Sequence, residues 1–204
     1  MARARRHDPE RRDRIVDAAL RVAGRSGIAG LSHRTVAAEA DVPLGSTTYH
    51  FASLDELLVA ALREANEGFG QLLRERLTPA APGVGLGAVP GAELAAVPGA
   101  ELAAVLARLL GEWLGGERAQ VELEYELYLA ALRRPALRPV AAEWAATVIS
   151  ALADHTDPVT ARALVALMDG VCLQCLLTDD PYDEAYAREM LTRVLAPGAG
   201  PPRS

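Results

Sequence analysis

The chain has 204 residues, half of them apolar and few aromatic, with Ala and Leu dominant, a composition that favours helices throughout and allows one domain or a small domain joined to a larger one. Its formal charge of −6 is unevenly divided: residues 1–51 carry nine Arg against six Asp and Glu (+3), and residues 52–204 carry twelve against twenty-one (−9). The charged N-terminus without a following apolar run reads as no signal peptide, and no window is expected to reach the roughly 20 apolar residues of a membrane span, so the expectation is a cytoplasmic protein with reduced thiols and no membrane partner.

Taken in chain order, Arg3, Arg5 and Arg6 lie in an expected disordered basic arm, residues 1–8, which Arg11, Arg12 and Arg14 extend into the first helix; such an arm suits phosphates or a minor groove. The helix runs from Arg11 through Ile15, Ala18, Ala19 and Val22. Residues 32–51 follow as a compact helix-turn-helix. Ser32 is an N-cap, Val36, Ala37 and Ala40 give one small apolar face, and Asp41-Val42-Pro43 forms a tight turn with Asp41 in the left-handed region and Val42 directed to the core. The second helix starts near Leu44. In such a unit this helix enters the major groove: Gly45 permits close approach, Ser46, Thr47 and Thr48 offer hydroxyls, and Tyr49 and His50 bring donors for phosphate oxygens. Leu44 sits at its first turn, and His33 and Arg34 at the start of the preceding helix complete the expected DNA-contacting set.

At these residues the chain resembles the TetR family of bacterial transcriptional repressors. The likeness covers about the first 62 residues, and the phrase GSTTYHFASLDELLVAAL resembles the family's recognition helix running into its long fourth helix. Two departures stand out: Thr48 occupies the position of the usual tyrosine, and Leu54 that of the usual lysine. The resemblance implies an all-α protein with a three-helix DNA-binding head, residues 9–53, and a larger helical regulatory and dimerisation body, residues 54–196, ending in a disordered tail at 197–204. It also implies a homodimer on a double-stranded, pseudo-palindromic operator, released by an unidentified small-molecule effector.

Beyond the head, Leu54 to Leu77 reads as one long helix. A Pro/Gly/Ala-rich loop at 79–99 contains most of a tandem repeat, VPGAELAA at 89–96 and again at 97–104, too short to stack as a solenoid. Further helices are expected over Ala100–Leu114, Ala119–Arg133, Pro139–Ala153 after a break at Pro135, Pro158–Leu177 and Pro181–Leu195. Trp113, Tyr125, Tyr128 and Trp144 are candidates to line an effector cavity with Met168 and Cys172, and Glu122, Glu124 and Glu126 could supply charge for a lipophilic cation, although glutamates two apart cannot all face inward on one helix.

The last two helices are read as the dimer-forming pair, with Leu164, Met168, Val171, Cys175, Met190 and Val194 at the interface. Cys172 and Cys175 stand in an apolar helical run, which favours buried core thiols over a metal or redox pair; a redox- or electrophile-sensing regulator is the alternative, and a ligand-independent DNA binder another. No cofactor or metal is expected. Asp154, His155 and Asp157 form the one local acid and His cluster, in a turn before Pro158 where capping explains them, so an enzyme is not expected.

Overall fold

The computed structural model describes residues 10–77, 99–178 and 180–196. The expected arm at 1–8, the loop at 79–98 with most of the tandem repeat, and the tail at 197–204 lie outside them. Among the described residues there are nine α-helices and no strand: α1 (Arg11–Ser26), α2 (His33–Glu39), α3 (Leu44–His50), α4 (Leu54–Leu77), α5 (Ala100–Leu114), α6 (Arg118–Ala130), α7 (Arg138–Ala153), α8 (Pro158–Thr178) and α9 (Glu184–Leu195). They fall into two compact units. The first runs through Glu67 and takes in Ala119–Ala142; the second comprises Gly68–Arg118 and the chain from Glu143 onward.

In the first unit α1 buries Ile15, Val16, Ala18, Ala19, Val22 and Ala23 along one face. It stops at Gly27, whose φ of 66° turns the chain and whose amide donates to Ala23. A 3-10 turn follows at Ile28–Gly30. α2 opens with a reciprocal cap: Ser32 Oγ accepts from the Thr35 amide, and Thr35 Oγ1 accepts from the Ser32 amide. Its last residue, Glu39, accepts from Arg21 Nε at 2.8 Å and from Arg25, which ties α2 to α1. The two arginines, Arg25 foremost, hold the Glu39 carboxyl down at about 2.

The first twelve residues of α4 give Leu57, Leu58, Ala61, Leu62 and Ala65 to the core that also holds Ile15, Val22, Val36 and Phe51. α4 has its own cap, with Ser53 Oγ accepting from the Glu56 amide and Glu56 Oε2 accepting from the Ala52 amide at 2.7 Å. The same core contains Leu123, Leu127 and Ala131 at α6, and Leu137, Val140 and Ala141 beyond it. α6 is therefore built into the unit that carries the helix-turn-helix. It ends at Ala130, three residues short of the expectation from sequence, because the chain tightens into successive i to i−3 bonds at Ala131, Leu132 and Arg133 ahead of Pro135.

In the second unit α5 is buried along Leu102, Ala103, Val105, Leu106, Ala107, Leu109 and Leu110, mostly against α9. α9 begins at Glu184, not at Pro181. Asp183 caps it, accepting from the Tyr186 amide at 3.0 Å, while Pro181–Asp183 stay outside the helix and Tyr182 donates to the Ala107 carbonyl at 2.6 Å. Gly111 makes room for that ring, since a Cβ there would stand 3.0 Å from Tyr182 Cε1. α8, 21 residues long with an 18-residue window of mean hydropathy 1.5, is long and apolar enough by length and composition alone to cross a membrane, a test that the core helix of a soluble protein also passes. Its apolar residues surround the helix, but only Ala161, Leu164, Met168 and Cys172 are buried.

Candidate nucleic-acid interface and effector residues

The turn between α2 and α3 is made as its residues dictate. Asp41 takes φ 51°, the one left-handed non-glycine residue among those described, and Val42 packs partly into the core. Pro43 then precedes α3, whose face divides sharply. Leu44, Gly45, Thr48 and Tyr49 are exposed, Tyr49 at 84%, and Ser46 and His50 are half-buried. Thr47 corrects the sequence expectation. Its side chain is fully buried, and its hydroxyl donates to the Leu44 carbonyl at 2.8 Å and lies 3.4 Å from that of His33, so it anchors α3 to α2 and offers nothing outward.

At the start of α2, Arg34 is exposed, whereas His33 is half-buried and its Nδ1 is enclosed without a hydrogen-bond partner among the described residues. Tyr49 and His50 stand edge to face at 5.2 Å, and the Arg12 guanidinium lies 5.2 Å from the Phe51 ring centroid. Arg12, His50, Phe51, Ser53, Asp55 and Glu56 border an open cleft of about 460 Å³ at the ends of α1, α3 and α4. No gap in the packing calls for the small size of Gly45, since a Cβ there would meet nothing within 4 Å.

The candidate effector residues divide by unit. In the first, α6 carries Glu124, Tyr125 and Tyr128, all half-buried. The three α6 glutamates go three ways. Glu122 is exposed; Glu124 is pushed up to about 8 by burial, against a hydrogen bond from Gln120; Glu126 accepts the backbone N–H of Ile28 at 2.8 Å. In the second unit Trp113 and Trp144 both meet Phe69 edge to face, at 5.2 and 5.8 Å, so Phe69 joins the two expected tryptophans. Met168 and Cys172 are buried on α8.

The expected interface residues also divide. Leu164 and Met168 are enclosed within the chain's own fold, at 0% and 4% exposure, and are corrected from the interface to the core. Val171, Cys175, Met190 and Val194 keep part of their surface open. Cys172 and Cys175 are not disulfide-bonded, and burial, with Asp180 adding, pushes the Cys175 thiol up, away from the reactive thiolate. Asp157 does what its turn position asks: its carboxylate accepts from the Val159 and Thr160 amides at 2.9 and 3.1 Å.

Residues 15–61 match the family model for bacterial regulatory proteins of the tetR family, and residues 98–197 that for the tetracyclin repressor-like C-terminal domain. The multidrug binding protein EbrR, solved with ethidium, is 66% identical over 92% of this chain and 99% of its own, with a TM-score of 0.77; it has also been solved with proflavin and with malachite green. A TetR-family member from Streptomyces coelicolor A3 is likewise 66% identical, over 93% of this chain and 100% of its own, with a TM-score of 0.77. The nicotine-responsive transcriptional repressor HdnoR of Paenarthrobacter nicotinovorans is 42% identical over 55 residues, which span 27% of this chain and 28% of that repressor. With both halves of the family pattern matched and solved relatives 66% identical over nearly their whole length, the chain belongs to the TetR family of DNA-binding transcriptional regulators and is not an enzyme.

Proposed function

We propose that the protein is a homodimeric repressor that binds a pseudo-palindromic operator through α3 and is released by an aromatic cation. The observation that carries the DNA-binding part is the division of α3: Thr47 fixes the helix from within, while Leu44, Gly45, Thr48 and Tyr49 stand uncovered beside Ser46, His50 and the exposed Arg34. A short helix anchored on one side and polar on the other fits a major groove. The effector class follows from chemistry. Ethidium, proflavin and malachite green, the molecules found with EbrR, are aromatic cations, and the half-buried Glu124, flanked on α6 by Tyr125 and Tyr128, pairs a latent negative charge with aromatic rings. Trp113, Trp144, Met168 and Cys172 of the second unit are assigned to effector binding as a separate set.

The half-buried apolar residues Val171, Cys175, Met190 and Val194 of α8 and α9 are assigned to the dimer interface, which would account for the apolar surface α8 leaves open. The cysteine-sensing alternative gains no support, since burial raises the Cys175 thiol and a poor thiolate is a poor sensor.

The deciding experiment selects bound duplexes from a random pool with the purified protein and a Tyr49→Ala/His50→Ala control, then titrates the recovered duplex complex with ethidium. A pseudo-palindrome lost in the variant and released by ethidium is the expected result. Sequence-independent, salt-sensitive binding alone would sink the operator reading, and a complex indifferent to ethidium would sink the effector class.

A further inference from the structure

α6 is joined to the helix-turn-helix unit by more than its share of the core. Leu123 and Leu127 lie in the same apolar cluster as Ile15, Val22 and Ile28. Near the middle of the helix the Glu126 carboxylate accepts the Ile28 amide at 2.8 Å, the first amide of the 3-10 turn that connects α1 to α2. Beyond its C-terminal end, Arg134 Nη1 donates to Asp55 Oδ1 at 2.7 Å in the first turn of α4. The Ile28 contact has been built for closeness: Gly27 has φ 66°, and a Cβ on it would come within 3.2 Å of Glu126 Oε1. Glu126 is itself exposed, but its carboxylate satisfies an amide of the buried Ile28 that would otherwise be orphaned. The bond is directional, so a small rotation or slide of α6 changes it more than it changes the apolar contacts around it.

The residues proposed to meet the effector, Glu124, Tyr125 and Tyr128, sit on the same helix within a turn of Glu126. We infer that Glu126 is a positioning residue that passes the state of α6 to the α1–α2 connection, so that the head answers directly to α6 as well as to the long helix α4. This rests on the functional reading above for the nature of the effector, but the attachment of α6 to the head does not.

Two measurements separate the two. In the protein alone, hydrogen exchange is followed through a denaturant series for the wild type, Glu126→Ala and Glu126→Gln. The α6 amides of the wild type should lose protection together with those of α1, and the Ile28 amide should exchange about tenfold or more faster in the alanine variant, with glutamine, which keeps an acceptor oxygen, restoring most of the protection. An α6 that opens with α5 and α9 while α1 stays protected, or an unchanged Ile28 amide in the alanine variant, overturns the attachment.

The second measurement is the affinity of the selected duplex with and without ethidium, alongside direct ethidium binding. The alanine variant should hold both ligands within about threefold of the wild type yet lose about fivefold or more of the ethidium-induced weakening, and glutamine should recover it. Equal weakening in wild type and alanine variant overturns the transmission. Should the alanine variant fail to fold, the glutamine variant and an Asp55→Asn variant, which weakens the second tie, take its place, and undiminished coupling in both overturns the proposal. A wild type insensitive to ethidium overturns the functional reading and the transmission with it, while the attachment is still decided by exchange at Ile28.

Discussion

Thr47 and Thr48 are neighbours with the same hydroxyl and opposite surroundings, and the contrast fixes what substitutions in α3 should do. Thr47 is buried with its hydroxyl bonded to the Leu44 carbonyl, so Thr47→Val should cost about 1 kcal/mol in thermal denaturation while leaving the outer face of the helix in place. Gly45 is the reverse case. Nothing lies where its Cβ would be, and its helical position prefers alanine by up to ~1 kcal/mol, so Gly45→Ala should melt slightly higher and yet bind the selected duplex more weakly if DNA comes as close as proposed. Undiminished duplex affinity in Gly45→Ala would remove that residue from the interface. Glu124 gives a pH signature. Its carboxyl titrates near 4.5 in the unfolded chain and about 8 in the folded one, so between these values the folded state holds the extra proton. Stability should then fall as pH rises from about 4.5 to 8 and level off above, and Glu124→Gln should flatten that part of the stability profile.

At the scale of elements, the head is held by local signals that a linear reading can find. The N-cap at Ser32, the left-handed Asp41 and the start of α3 at Leu44 follow from residue type within four positions, and α4 and α5 keep their expected bounds because long apolar periodicity runs between strong breaks. Ser32→Ala should destabilise by about 1 kcal/mol, read from the thermal midpoint, because the Thr35 amide loses its acceptor. What the sequence could not disclose depends on partners far along the chain. Glu126 was one of three alternating glutamates until the fold set it against Ile28, 98 positions away. Thr47 read as one hydroxyl in a polar run, because a seven-residue helix has too few turns to reveal which side is covered. α9 starts three residues late for a similar reason: Pro181 is a good first helical residue, but the Tyr182 side chain is tied to the distant Ala107 carbonyl. Leu164 and Met168 could not be told from Val171 and Cys175, since an apolar helix covered on one face and open on another carries no polar stripe to mark the difference.

For the whole molecule, charge and apolar surface ask for the same assembly. The chain carries −6 overall, and its −9 beyond residue 51 repels DNA, so attraction must be confined to the +3 end. One such end makes few phosphate contacts and gains little affinity; two, tethered in one particle, convert the second contact into an intramolecular event. α8 and α9 hold the surface that would provide the tether, with Val171 and Met190 half-buried and Leu177 and Tyr186 exposed at 79% and 56%. An arginine at position 171 would be solvated in a single chain and desolvated in a closed interface, so Val171→Arg tests the assembly with little penalty to the fold itself. The variant should sediment as a monomer and keep its helical circular dichroism. It should bind a single half-site as the wild type does, and lose about a hundredfold in affinity for the two-half-site duplex. A variant that stays dimeric would place the interface elsewhere. One that is monomeric yet binds the full duplex undiminished would mean that each head acts alone, and two-fold symmetry would then have no part in operator recognition.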